Sequence, residues 1–135
     1  MTPKTQIRTH NASPAAAPYS QGVRKGPVLQ TSGQISTDPA TNQLLHIGDV
    51  ASQTTQALTN TRAVLEAGGA TFDDVVLVRI YITKRSDYGL MNAAYSTFVD
   101  AHTPSGVLPS RTTVITDLAD ENLLVEIDAL AVVED

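Results

Sequence analysis

Arg111 lies in the run Leu108-Pro109-Ser110-Arg111-Thr112-Thr113-Val114, a guanidinium at a strand start just past a proline. Such a planar fork holds a carboxylate through two parallel hydrogen bonds. Glu126, in Leu124-Val125-Glu126-Ile127-Asp128, falls on the next predicted strand and is expected to face the same space. A partly desolvated glutamate has its pKa raised toward neutrality and can serve as general base or proton shuttle. Two readings follow: a small-molecule site with an anchored carboxylate, or a cross-strand ion pair, since structural ion pairs are common. Asp117 and Asp128 are further carriers for the acidic role. Tyr19, after Pro18 in a loop, is placed either to close over a site or to sit at the core edge with its hydroxyl bonded locally. Ser32 and Gly33 fall inside a predicted strand, where glycine marks a bulge or a close backbone approach. Asn92, on a predicted helix, either supports the site or is a surface residue.

The elements that must position these groups can be read from periodicity. A short strand near Gln6–Arg8 precedes a Pro-punctuated loop over 10–18. Val28–Ile35 reads as a strand and 36–42 as a turn cluster. Asp49 is a good N-cap for a helix to about Ala67. Its apolar stripe is Val50, Thr54, Ala57, Leu58, Thr61, Val64 and Leu65, with Gly68-Gly69 as the stop. Asp74–Thr83 is the clearest strand. A second helix, capped by Ser86 or Asp87, runs to about Ala101 with Leu90, Met91, Ala94, Tyr95, Phe98 and Val99 on one face. Strands near 111–117 and 123–133 complete the chain. The order predicts an α+β fold, a single mixed sheet with two helices on one face.

Strand faces carry more information than order. Val76, Val78, Ile80 and Ile82 are expected to meet the helices, as are Val125, Ile127, Ala129, Ala131 and Val133. The opposite rows, among them Leu77, Arg79, Tyr81, Glu126, Asp128, Leu130 and Val132, mix charges with large aliphatics. A solvent-facing row should be mostly polar. Two helices cannot cover both faces, so the second face is expected to be an oligomer interface. By alternation Arg111, Thr113, Ile115 and Asp117 share a face, as do Gln30, Ser32 and Gln34, and these rows are placed on the uncovered side with Glu126.

Composition narrows the function classes. A chain of 135 residues with 41% hydrophobic content forms one domain, 1–135, with an aliphatic core. The net charge of −5 argues against a nucleic-acid partner. There is no Cys, which excludes disulfides and cysteine nucleophiles and fits a reducing, cytoplasmic setting. No apolar stretch reads as a signal segment or a membrane span. His10, His46 and His102 are scattered, so no metal site is expected. Phosphate-binding and nucleophile-elbow motifs are absent as well.

At these residues the chain resembles the Rid family, the YjgF-type reactive-intermediate imine deaminases. The resemblance rests on Ala17-Pro18-Tyr19-Ser20-Gln21-Gly22, Thr31-Ser32-Gly33-Gln34-Ile35, Met91-Asn92-Ala93-Ala94-Tyr95, Pro109-Ser110-Arg111 and Val125-Glu126-Ile127, in this order over nearly the whole chain. It implies a chorismate-mutase-like topology and a homotrimer with three sites between subunits. It also implies hydrolysis of 2-imino or 2-enamino acids, such as 2-aminoacrylate, 2-iminobutanoate and 2-iminopropanoate, to 2-oxo acids and ammonia without a cofactor. In that reading Arg111 pins the carboxylate and Glu126 positions or activates water. Tyr19, Ser32, Gly33, Asn92 and Thr113 line or support the pocket. The chain departs from the common pattern at Ala17, Leu108 and Thr113, where Gly, Phe and Cys are frequent, and in a slightly longer loop over 102–107. The Leu108 and loop changes alter the pocket wall, so a different or larger imine is expected. Two alternatives stay open: a non-catalytic binder of small carboxylates or chaperone-like homologue, and a ribonuclease, which the acidic charge disfavours.

Overall fold

The computed structural model describes residues 2–134. Six strands form one sheet in the order β1-β2-β3-β6-β4-β5. They are β1 (Thr5–Ile7), β2 (Gly22–Lys25), β3 (Val28–Thr31), β4 (Val75–Ile82), β5 (Ser110–Ile115) and β6 (Val125–Val132). Helices α1 (Val50–Ala67) and α2 (Tyr88–His102) complete the fold. All neighbouring strands run antiparallel except β4 and β5, whose parallel pairing is bridged by α2. The single mixed sheet with two helices is the α+β architecture expected from the element order.

Asp49 accepts from the Ser52 backbone N–H at 3.1 Å and starts α1 as its sequence predicts. The whole predicted α1 stripe is buried, together with Gln53 and Asn60. On α2, Met91, Tyr95, Phe98 and Val99 are buried, whereas Leu90 is 61% exposed and is not part of the stripe. These helix faces meet Leu29, Val78, Ile80, Ile82, Val125, Ile127, Ala129 and Ala131 in one apolar core. No helix among the described residues is long and apolar enough to cross a membrane.

Four expectations are corrected. Strand β2 was not anticipated, because Gly22-Val23-Arg24-Lys25 is short and has little apolar alternation. It pairs with β3 through a two-residue loop whose first residue, Gly26, takes a φ of 58°, a backbone state that glycine adopts without strain. Val76 does not face the helices. A register shift between Val75 and Leu77 inserts it as an extra residue, so Val75 is buried and Val76 is 47% exposed. Gln34 does not keep the row of Gln30: β3 ends at Thr31, and Gln34 re-enters the sheet opposite core residue Ile127. The row of Arg111 lies on the helix side of the sheet. Arg111, Thr113 and Ile115 stand beside Val78, Ile80 and Ile82, and paired residues on neighbouring strands share a face.

The other face carries Val28, Val114 and Val132, each more than 40% exposed, with Leu77, Tyr81, Leu130, Arg79, Glu126 and Asp128. Neither helix covers it.

Candidate functional site

The side chains singled out by sequence fall into two groups on opposite faces of the sheet. Glu126 stands opposite Tyr81, whereas Arg111 stands opposite Val78. Tyr81 and Val78 are an odd number of residues apart on β4, which alternates their faces. β4 also separates the strands of Arg111 and Glu126. The cross-strand ion pair is therefore ruled out, and so is a shared site within one subunit. The ion pairs among the described residues are Arg62–Glu66 and Arg79–Asp128, and Arg111 belongs to neither.

Arg111 is held from the start of α2. Its Nη1 donates to Asn92 Oδ1 at 2.8 Å and its Nη2 to the Tyr88 hydroxyl at 2.7 Å. The guanidinium carbon lies 4.8 Å from the Tyr95 ring centroid and 5.7 Å from that of Tyr88. Both rings contribute cation–π attraction. Burial pushes the Tyr95 phenol pKa up, partly opposed by the Arg111 charge, so the ring stays neutral beneath the cation. The guanidinium has five N–H donors in all, so these two bonds leave enough for a carboxylate. Thr113, two residues along the same face, has a buried Oγ1 with no hydrogen-bond partner among the described residues. Leu108 and Val107 are exposed beside the strand start. The loop before them is pinned where Ser105 donates from its N–H and hydroxyl to the Asp73 carboxylate at 3.0 and 2.6 Å.

Glu126 belongs to an open cleft of about 470 Å³, which it lines with Tyr19, Ser32 and Gly33. A Cβ built on Gly33 would collide with the Glu126 carboxylate, so the glycine marks a close approach of side chain to backbone. The Ser32 hydroxyl donates to Ser20 O at 2.5 Å and fixes the loop that carries Tyr19. Gln21 secures the same loop from within, bonding Thr9 and Ser13. Tyr19 is half exposed, and its hydroxyl accepts a long 3.5 Å bond from Ala16 N–H. Burial, then the charge of Asp128, raises the Glu126 pKa. Asp128 is itself committed. It accepts from Arg79 Nε at 2.7 Å and from the Tyr81 hydroxyl at 3.3 Å. It is a poor substitute for Glu126 as proton carrier.

Each face thus holds one of the two charged groups. The helix side offers an ordered cation with donors to spare, and the open face offers a glutamate whose pKa burial raises. Arg111, on the edge strand β5, is not among the residues that line the Glu126 cleft. The sequence reading overlooked Tyr88. Its signal was spacing: Tyr88, Asn92 and Tyr95 stand at i, i+4 and i+7, one face of a helix. Tyr95 was read as core alone, yet it is also the floor under Arg111.

Comparison with known proteins gives a consistent family. Residues 9–133 match the family model described as Endoribonuclease L-PSP. A RutC family protein of Pyrococcus horikoshii is 35% identical over 128 residues, 95% of this chain and 97% of its own length. The 2-iminobutanoate/2-iminopropanoate deaminase of Escherichia coli K12 is 36% identical over 126 residues, 93% of this chain and 95% of its own. Among solved structures, E. coli TdcF with bound serine superposes with a TM-score of 0.88 at 32% identity, covering 96% of this chain and 99% of that one. The E. coli YjgF product superposes at 0.87 with 35% identity, covering 95% and 98%.

Proposed function

Since the chain belongs to the Endoribonuclease L-PSP family, which includes the YjgF and Rid proteins, we propose that it hydrolyses 2-imino and 2-enamino acids to 2-oxo acids and ammonia. The reading is supported by relatives named 2-iminobutanoate/2-iminopropanoate deaminase that align over nearly all of the chain. The observation that carries it is the state of Arg111. This cation is ordered by Asn92 and Tyr88, stacked on Tyr95, and among the described residues bonded to no carboxylate. A cation prepared in this way suits a small anionic ligand.

The complete site forms where the helix-side edge of one subunit meets the open face of another, in a homotrimer. Two observations support this. The open face exposes valines beside half-buried leucines, and Arg111 and Glu126 cannot meet within one sheet. Arg111 holds the substrate carboxylate, with Asn92 fixing its plane and Thr113 beside it. Glu126 of the adjoining subunit holds the water. Tyr19, Ser32 and Gly33 form the wall on that side. The tautomerised, protonated imine is already electrophilic. Water adds to its carbon as Glu126 takes a water proton, giving a carbinolamine. Glu126 passes that proton to nitrogen and then accepts the carbinolamine hydroxyl proton as the C–N bond breaks, so that ammonia leaves as the carbonyl forms. Positioning and one proton carrier are sufficient, and no cofactor enters the balance. Exposed Leu108 and Val107 beside Arg111 leave room for imines larger than 2-aminoacrylate; turnover of imines made from serine, leucine and phenylalanine tests this, and sole preference for the smallest refutes it.

The decisive experiment is Arg111→Ala. Imines generated in situ by an amino-acid oxidase should disappear at the uncatalysed rate in its presence, with the melting profile and oligomer mass unchanged. Retained turnover in that variant rules the assignment out. Binding of 2-oxobutanoate by the parent protein without ammonia release would instead favour a carboxylate-binding role.

A further inference from the structure

Tyr88 has no part in the reading above except to touch Arg111, yet its geometry is specific. It is the first residue of α2, with its ring 43% exposed. Its backbone N–H closes the preceding 3-10 turn by bonding Arg85 O. The phenol oxygen accepts from Arg111 Nη2 at 2.7 Å, and among the described residues its own O–H has no acceptor. A tyrosine hydroxyl both accepts and donates, whereas Asn92 Oδ1 can only accept from the guanidinium. Asn92 therefore consumes a donor of the anion site, while Tyr88 replaces the donor it consumes with its own proton. An oxygen that accepts from a cation has its O–H polarised, which strengthens it as a donor. A group that takes hydrogen bonds from both a guanidinium and this hydroxyl must present an acceptor to each, as the two oxygens of a carboxylate do.

We propose that Tyr88 is a second carboxylate-binding residue, its hydroxyl accepting from Arg111 and donating to a carboxylate oxygen of the substrate. This rests on the reading of Arg111 as the carboxylate anchor and extends it to the chemistry of the anion site. The contact persists from bound substrate through carbinolamine to product, because the carboxylate does not change during the reaction. Tyr88 accordingly contributes uniform binding, which acts on KM and not on kcat.

The test is Tyr88→Phe, which keeps the ring against Arg111 and removes only the hydroxyl. In the intact oligomer, steady-state turnover of 2-iminobutanoate is measured alongside binding of 2-oxobutanoate and of its neutral amide by calorimetry. A hydrogen bond to a charged group at a half-exposed position predicts a rise of about five- to tenfold in KM and in the Kd of 2-oxobutanoate, with kcat within about twofold. Amide binding should change less, so the preference for carboxylate over amide narrows. Unchanged KM and Kd overturn the proposal. So does a fall in kcat at constant KM, which would place the hydroxyl at the reacting carbon. Equal weakening of acid and amide overturns it too, because that marks a general packing defect. The binding arm is independent of turnover. A parent protein that binds the acid without hydrolysing imines defeats the deaminase reading while leaving the Tyr88 comparison intact.

Discussion

Glu126 shows how one residue's surroundings fix its chemistry. Its pKa is raised first by burial and then by the Asp128 carboxylate, which Arg79 neutralises only in part. The ordinary value of a glutamate is about 4.3, so the acid limb of kcat/KM should lie above it. Turnover is lost as pH falls through the raised folded-state value and Glu126 takes up its proton. Glu126→Gln should be slow at every pH and lack that limb; a parent-like profile in the variant would remove Glu126 from the mechanism. The sign for stability is the reverse of a salt-bridged carboxylate. With the folded-state pKa above the unfolded one, burying the charged form costs stability at neutral pH, and the cost vanishes on acidification through the folded value. Glu126→Gln should therefore melt above the parent at neutral pH, with the gap closing toward acid pH. At this scale the sequence made Arg111 and Glu126 visible as candidates, because guanidinium and carboxylate chemistry is a property of residue type. It marked Gly33 as a close approach without naming the Glu126 carboxylate as the neighbour, and it did not name Tyr88 as a partner of the guanidinium, since both contacts join distant segments.

At the scale of elements, α1 is more than a cover for the sheet. Its fully buried Asn60 donates from Nδ2 to Ile35 O and Thr37 O, each at 3.0 Å. Its fully buried Gln53 donates to His46 O and Asn122 O and accepts from Leu124 N–H at 2.9 Å. The two side chains hold the segment after Gly33 and the entry to β6 just before Glu126. A helix surface thus sets the spacing of the open-face half-site. Asn60→Ala leaves Thr37 O unpaired and Ile35 O with only the Thr37 N–H, and should destabilise the fold by about 1–3 kcal/mol, read by urea denaturation. A loss below about 0.5 kcal/mol, the level of an ordinary surface change, would refute that role. The α1 stripe was legible from spacing because apolar positions recur at helical period. Gln53 and Asn60 were not, because polar residues carry no periodic signal and their partners lie in loops. The bulge at Val76 escaped for the same kind of reason: one inserted residue inverts a face without any mark in a run of valines.

At the scale of the whole molecule, the proposed intersubunit site is open to a complementation test. If each site takes Arg111 from one subunit and Glu126 from its neighbour, Arg111→Ala and Glu126→Gln subunits can rescue each other. In a randomly mixed trimer about one site in four receives both intact residues, so co-expression should restore about a quarter of parental activity. Each variant alone should remain inactive. No recovery in verified mixed oligomers would place each site within one subunit, against the sheet geometry. Light scattering should report a mass three times that of the chain, and a monomer would exclude the intersubunit site altogether.

Residue type and periodicity by themselves determined the order of the elements apart from β2, both helices and most of the core, and marked out a guanidinium and a carboxylate as candidates. These are local properties, set by side-chain chemistry and by helix and strand repeats. Only the tertiary structure decided which face of the sheet each group occupies. Alternation along β5 correctly grouped Arg111 with Thr113 and Ile115, but alternation gives relative faces within a strand and not which face meets the helices. That choice came from the pairing of Arg111 with Val78 and its contacts to α2. It turned an expected shared face into two opposite faces, one holding Arg111 and the other Glu126.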